Sequence, residues 1–382
     1  MYFMFGYIAV VSILGLIANV KIRKYFFGVA IGFAILGFFF LPRSYDDLSL
    51  AFTHLENLKT IGWTYYDQIN AQTSYFHQLP TLMIYYYFLS FLPSVHFLPA
   101  ISMFIVYFCS FSLIANYAEK SGMSKHNAII LMIIVILCID YYGAVSGIRN
   151  TLAFVVCAYF LYEDLYCRRN RLLCFIMYLL MFGLHSSVIF VLFVRVLVAI
   201  STKWVVILLF ILSIIWMNFL PSIFNILGSI GVPSANNLAW KLEIYSEYAT
   251  SNINLIAGVY YTRLMYVRGL FSVILVVTQL LRAKRNGIDT LDSFDYAYLY
   301  IMGLMLGSFS SFNIYLRLSN LMIFVGIIVL GRYFSYKVRY RLKRIVLFRI
   351  SLFSYQVPVM AVSILMFYFI MINSYYGISF GI

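Results

Sequence analysis

A single arginine, Arg149, begins a long apolar run in the stretch GAVSGIRNTLAF (143–154). A Ser-Gly pair precedes it, which favours a break in the chain and predicts a helix over 150–166. The N-terminus of a helix already carries a partial positive charge, so a cation there is unfavourable unless an anion lies between them. A phosphate held by the backbone N–H groups and the guanidinium together would satisfy both. The alternative is an ion pair with Asp140 at the end of the preceding apolar segment.

Three further arginines lie in apolar sequence. YYTRLMYVRGLF contains Arg263 and Arg268, whose spacing of five residues predicts different sides of one helix, and SFNIYLRLSNLM contains Arg317 at a helix junction. An arginine in such a position is costly unless it is paired. Because acidic residues are few in these regions, an external anion is the better partner, and we treat these arginines as candidate anion ligands with Arg149.

Asp46, Asp47 and His185 are the candidates for proton transfer. The two aspartates are adjacent in PRSYDDLSLAF, and neighbours on a helix diverge by about 100°. At most one would therefore point at a common centre, which favours a single carboxylate as general base over a paired acid/base site. His185 lies in MFGLHSSV, where Gly, His and two Ser suit a tight turn. It is either a structural residue or a proton-transfer or phosphate-binding group.

Polar and aromatic residues alternate in KLEIYSEY, which contains Lys241, Glu243 and Tyr245. Sugar-binding surfaces often show this pattern, although an ordinary interfacial helix would share it. The five cysteines form no CxxC pair and stand in or beside apolar segments, which is typical of buried free thiols. Neither a metal-ligand cluster nor a glycine-rich phosphate loop is recognisable, so the sequence predicts no metal and no cofactor.

The elements that position these residues are predicted to be membrane helices. The chain has 382 residues, of which 64% are hydrophobic and 10% charged, whereas soluble domains have about 25% charged residues. A crossing needs about 20 apolar residues. The sequence predicts an all-α polytopic membrane protein, one integral membrane domain over 1–382, with about 12 transmembrane helices near 3–20, 25–41, 97–117, 128–143, 150–166, 172–184, 186–200, 204–220, 259–281, 296–312, 318–335 and 353–373.

The net charge of +14 follows this predicted topology. Most of the 27 Lys and Arg residues fall in connections that lie on one predicted face: 21–24, 118–127, 163–171, 201–203, 282–295 and 332–349. The positive-inside rule makes that face cytoplasmic. The charge is then an orientation signal, which argues against nucleic acid as a partner.

Three other segments complete the predicted topology. Residues 1–20 have no basic residue before the apolar run, so they predict a retained helix rather than a cleaved signal. Residues 78–93 are apolar but short, and we interpret them as a re-entrant or interfacial segment bounded by Pro80 and Pro93. The larger outer segments are then 42–77 and 221–258.

Three motifs occur in order over residues 143–195: GIRNTLAF, the basic turn YCRRNRLL and MFGLHSSVIFVL. This series resembles the G-x-R-Q-x-x-A, Lys/Arg-rich and F-H-x-S pattern of EpsG-like proteins, the Wzy-type polymerases of bacterial exopolysaccharide, capsule or O-antigen. Length, helix number and the acidic motif RSYDD agree over the rest of the chain. Asn150 stands where the family has Gln, and Leu184 precedes His185 where Phe is common.

The resemblance implies a fold similar to the C-superfamily membrane glycosyltransferases and a multi-pass protein of the bacterial cytoplasmic (inner) membrane, with its site facing the outside or periplasm. The reaction it implies joins undecaprenyl-diphosphate-linked oligosaccharide repeat units into a surface polysaccharide. Arg149, Arg263, Arg268 and Arg317 would bind the diphosphate, and Asp46, Asp47 or His185 would be the general base. Asn150, Lys241, Glu243 and Tyr245 are candidate glycan contacts. The expected partners are the lipid-linked substrate, membrane lipids, a flippase and a chain-length regulator.

Two other classes of function fit parts of the same pattern. A flippase or transporter of lipid-linked sugars would share the helix number and the outward arginines, but it should show paired halves with matching broken helices. A membrane O-acyltransferase would place His185 deep in the protein rather than at an outer turn.

Overall fold

A computed structural model describes residues 2–17, 19–44, 46–73, 79–202, 205–229, 255–286, 291–309, 311–335, 356–375 and 379–380. The described chain is almost entirely helical, which confirms the predicted all-α class at that level. The helices are α1 (Tyr2–Ile17), α2 (Ile22–Phe38), α3 (Asp47–Ile61), α4 (Thr64–Thr73), α5 (Pro80–Ser90), α6 (Phe97–Ser121), α7 (Lys125–Cys138), α8 (Tyr141–Ser146), α9 (Ile148–Leu161), α10 (Arg171–Leu184), α11 (Ile189–Ile200), α12 (Val205–Ser229), α13 (Leu255–Asn286), α14 (Ser293–Gly307), α15 (Phe312–Ser335) and α16 (Gln356–Tyr375).

Two short strands are the exception to the helical pattern. Strand β1 (Phe40–Leu41) pairs antiparallel with β2 (Ser379–Phe380). This pair ties the segment that follows α2 to the far end of the chain.

Local polar groups end some helices inside a continuous apolar run, where the apolar pattern alone predicts one longer helix. The predicted helix 128–143 is wrong as one element, because α7 ends at Cys138 and the Asp140 carboxylate accepts the Gly143 N–H at 3.0 Å to start α8. The predicted break before Arg149 is confirmed, with Gly147 between α8 and α9. The predicted helix 150–166 begins at Ile148 instead and passes at Leu161 into a π-helical turn, Tyr162–Cys167.

Helices α6, α9 and α15 form the centre of the bundle. Helix α2 packs along α6, while α9 contacts α6, α10 and α15. Most side chains of α9 and α15 are buried. Helix α5, formed by the segment predicted to be re-entrant or interfacial, has 11 residues and packs against α3 and α10.

Basic segments that are distant in sequence meet at one end of this bundle. Arg23 Nε lies 2.6 Å from Glu119 Oε1, which joins the start of α2 to the end of α6. The Lys120 ammonium stands 4.4 Å from the centre of the Tyr166 ring, and the Arg332 guanidinium stands 4.9 Å from the same ring. The described parts of 21–24, 118–127, 163–171 and 332–349 are therefore neighbours, as the charge pattern predicts.

Two segments in the described ranges, Phe97–Ser121 and Asn313–Arg332, are long and apolar enough to cross a membrane by length and composition. Shorter apolar helices are found between Gly6 and Met371. The number of such long helices is lower than the twelve crossings predicted from sequence. Many large apolar side chains point away from the bundle, including Leu172, Phe175, Ile189, Val196 and Leu208.

Candidate functional site

The two adjacent aspartates have different environments. Asp46 is 9% exposed and accepts the Tyr142 hydroxyl at 2.7 Å and the Arg43 backbone N–H at 2.9 Å. Asp47 is the first residue of α3, and its side chain is 64% exposed. The prediction that at most one of them faces a common centre agrees with this arrangement. Asp46 anchors the chain before α3 to α8, while Asp47 remains accessible.

Arg149 pairs with Asp47 and not with Asp140. Its Nη2 atom lies 3.1 Å from Asp47 Oδ2, a contact between residues 102 positions apart. The alternative partner, Asp140, is engaged in capping α8. Arg149 is the second residue of α9, so its guanidinium stands beside the N-terminus of that helix as predicted. The pair combines a half-buried cation with an exposed carboxylate.

His185 lies at the turn between α10 and α11, near two of the predicted arginines. Its Nδ1 atom accepts the Ser187 backbone N–H at 3.1 Å, so in the neutral imidazole the proton is on Nε2. Burial, followed by the charges of Arg317 and Arg149, lowers the pKa of His185 to about 3. The structure thus brings both Arg149 and Arg317 within electrostatic range of His185. At neutral pH His185 offers a hydrogen-bond donor there and has no free lone pair.

His54 belongs to the same region, although the sequence analysis did not select it. Its Nδ1 atom lies 2.7 Å from the Tyr65 hydroxyl, which also accepts from Asn57 Nδ2 at 3.2 Å. Burial and the charge of Arg149 lower the pKa of His54 to about 4. His54 follows Asp47 by seven residues, which places both on one face of α3. That spacing was the signal available in the sequence.

The two arginines of α13 have different environments. Arg263 is exposed, whereas Arg268 is buried and donates from Nη1 to Ser319 Oγ at 2.7 Å. The prediction that they lie on different sides of one helix is confirmed. Residues two apart on a helix point about 200° apart. Since Ser319 follows Arg317 by two residues, Arg268 donates to a residue on a different side of α15 from Arg317.

The candidate glycan contacts have mixed outcomes. The side-chain oxygen of Asn150 is buried and has no hydrogen-bond partner among the described residues. A buried amide oxygen without a hydrogen-bond donor destabilises the folded state. A donor group of a ligand would satisfy it. Lys241, Glu243 and Tyr245 lie outside the described residues.

The lowered pKa of His185 predicts acid sensitivity. The unfolded chain has the ordinary pKa of 6.5 and the folded chain about 3, so the unfolded state binds more protons between these values. Stability is therefore complete above about pH 6.5 and falls as the pH is lowered, by about 1–2 kcal/mol at pH 5. Thermal unfolding from pH 8 to pH 5 measures this.

His185→Asn should make that pH profile shallower, because an amide oxygen still accepts the Ser187 N–H and does not titrate. His54, whose pKa is also lowered, keeps its own contribution to the profile. His126, which is exposed at the basic end, provides the control. His126→Gln should leave the slope unchanged. Equal slopes in wild type and His185→Asn would contradict the assignment.

Together these features define a helical bundle with a cationic site at one end, formed by α3, α9, the α10–α11 turn and α15. Comparison with known proteins gave no matching family model, no matching curated protein and no matching solved structure.

Proposed function

We propose that this protein is a membrane-embedded polymerase that joins oligosaccharide repeat units carried on undecaprenyl diphosphate. The observation that supports it most is the convergence of Arg149 and Arg317 on His185, at the end of the bundle away from the basic segments. A lipid diphosphate is an anionic leaving group, and an arginine beside a helix N-terminus with a second arginine near the same histidine suits it. The motif resemblance over residues 143–195 supports the same class of reaction.

Membrane embedding is supported by the distribution of apolar and charged groups. Large apolar side chains of α10, α11 and α12 point outward, whereas Arg268, Gln279 and Asp295 are buried. Apolar faces of this extent mark a surface that water does not cover. In α15, the span from Arg317 to Arg332 is about 22 Å long. The cationic site and the basic end are thus separated by most of a bilayer core of about 30 Å.

In the proposed topology the basic end faces the cytoplasm and the cationic site faces outward, with about 12 crossings. Helix α5 does not cross, since 11 residues span about 16 Å. It packs against α3, which lies with α4 in the outer segment 42–77. This arrangement places Asp47 and His54 beside the leaflet in which an exported lipid-linked oligosaccharide arrives.

The environments of the three candidate bases favour Asp47. Both carboxylate oxygens of Asp46 are engaged, and Nδ1 of His185 is occupied by a backbone N–H. Asp47 is the accessible group. In the proposed step a sugar hydroxyl of the acceptor attacks the anomeric carbon of the donor, and Asp47 takes the hydroxyl proton. The bond from the anomeric carbon to the diphosphate oxygen breaks with its electron pair, and Arg149 and Arg317 stabilise the resulting charge.

The two aspartates should therefore respond differently to amide substitution. We expect Asp47→Asn to fold normally and to lose about 10²–10⁴-fold in polymerisation rate, the usual contribution of a general base. Asp46→Asn should mainly lower thermal stability, because the amide oxygen can replace only one of the two accepting carboxylate oxygens and the amide nitrogen accepts neither the Tyr142 hydroxyl nor the Arg43 N–H. Rates and unfolding temperatures of both purified variants measure this. Full activity in Asp47→Asn would exclude it as the base.

The function itself is tested with purified protein and the undecaprenyl-diphosphate-linked repeat unit of the host. We expect a ladder of product lengths on a gel. Lipid scrambling in vesicles without any ladder would instead indicate a flippase and overturn the polymerase.

A further inference from the structure

An open groove of about 510 Å³ lies at the opposite, basic end of the bundle, along the seam between α2 and α6. Its α6 wall is the stripe Phe108, Phe111, Ser112 and Ala115, which follows the i, i+3, i+4, i+7 spacing of one helix face. The small side chains Ser112 and Ala115 come last in this stripe, nearest the basic end. They leave the space that the groove occupies.

Aromatic rings form the apolar part of the groove. Phe27 of α2 makes edge contacts with Phe104 and Phe108 of α6, with ring centres 5.7 and 6.2 Å apart. Phe104 and Phe108 stack at 5.5 Å. Phe27 is 45% exposed and Phe108 is 42% exposed. These rings therefore present an apolar surface outward, next to the groove.

Cations stand at the other end of the groove. Arg23 and Lys24 both line it. Arg23 is held in place by Glu119 at 2.6 Å and by Asn116, which accepts from Nη2 at 2.8 Å. Lys24 is exposed, and no carboxylate of the described residues forms an ion pair with it. With one carboxylate against two cations, the mouth of the groove has a net positive charge.

We propose that this groove binds an anionic glycerophospholipid, with its phosphate at Lys24 and Arg23 and an acyl chain along Phe27 and Phe108. The order of groups along the groove, from cations to aromatic rings, matches the order from headgroup to chain in a lipid. Its volume lies within the range of about 300–1,000 Å³ typical of ligand sites. Basic pockets at the cytoplasmic side of helix seams bind such headgroups. The inference rests on the membrane embedding of the proposed function.

The test uses the full-length protein in detergent, titrated with phosphatidylglycerol or with phosphatidylcholine of the same chains, and counts bound lipids by native mass spectrometry. We expect preferential retention of phosphatidylglycerol. Lys24→Gln should weaken it about fivefold, the loss expected for one basic residue near an anionic lipid. Lys21→Gln, in the same basic segment but outside the groove lining, should leave it unchanged.

A second variant separates shape from charge. Ser112→Leu fills the groove without altering any charge. We expect it to lower the number of phosphatidylglycerol molecules retained, while the number of phosphatidylcholine molecules retained stays the same. Equal retention of both lipids by the wild type, or equal losses in Lys24→Gln and Lys21→Gln, would overturn the inference. Extraction of the protein from membranes by carbonate would instead contradict the proposed membrane embedding. A product ladder without any lipid preference would support the polymerase but overturn the proposed lipid site.

Discussion

Arg149→Ala should abolish the product ladder while the protein still folds and inserts. Arg149 stands beside the N-terminus of α9, and its charge acts on His185 together with that of Arg317. A donor aimed at charge that develops in the transition state contributes about 2.7–4 kcal/mol, so its removal lowers the rate about 10²–10³-fold. The measurement is the initial rate of polymer formation by purified variant and wild type at equal protein concentration.

The conservative variant distinguishes an anion ligand from a structural ion pair. Arg149→Lys keeps the charge and can still reach Asp47, but it loses the planar fork that binds a phosphate at two oxygens. We expect wild-type thermal stability and a rate reduced at least tenfold. If the role of Arg149 is only to hold Asp47, Arg149→Lys will restore the full rate, and the proposed site is wrong.

Lys59 supplies a matched control for both variants. It is exposed in the last turn of α3, 12 residues after Asp47 and therefore about 18 Å along the helix. Lys59→Ala removes a positive charge from α3, the helix that carries Asp47, without altering Arg149, Arg317 or His185. Its rate should remain within a factor of two of wild type.

Arg332→Met should destabilise the fold more than any other single change considered above. Arg332 is 9% exposed and lies 2.6 Å from Asp292 Oδ2 and 2.5 Å from the fully buried Asp295. Asp295 also accepts from Gln279 at 3.0 Å and forms the capping box that begins α14. Removal of the arginine leaves a buried carboxylate without its counter-ion, which costs about 3–5 kcal/mol.

Thermal unfolding in detergent, with recovery of monodisperse protein as a second readout, measures this loss. Arg23→Met is the control, because the Arg23–Glu119 pair is more than half exposed on both sides and exposed pairs contribute about 0–1 kcal/mol. Arg332→Met combined with Asp295→Asn should recover part of the loss, since the amide carries no charge. Equal unfolding temperatures in Arg23→Met and Arg332→Met would show that the buried network does not stabilise the bundle.

The sequence by itself determined the helical class, the helix that begins beside Arg149 and the grouping of basic segments at one end. These features depend on local information: apolar run length, helix-breaking residues and the position of charge relative to each run. It also predicted that Arg263 and Arg268 point to different sides of α13, because helical periodicity fixes the angle between residues five apart. The predicted helix 128–143 was wrong because the Asp140 side chain starts a new helix, and hydrophobicity alone does not show such a cap.

Only the tertiary structure decided which side chains meet. Asp47 rather than Asp140 pairs with Arg149 because α3 folds back onto the start of α9. His54 comes within electrostatic range of Arg149 for the same reason, whereas the buried Arg268 donates to Ser319 of α15. Pairings across about 100 residues depend on how helices pack, and packing is set by the shapes of whole helix faces. The sequence therefore supplied the candidate chemistry, and the fold brings Asp47 against Arg149 and both Arg149 and Arg317 within electrostatic range of His185.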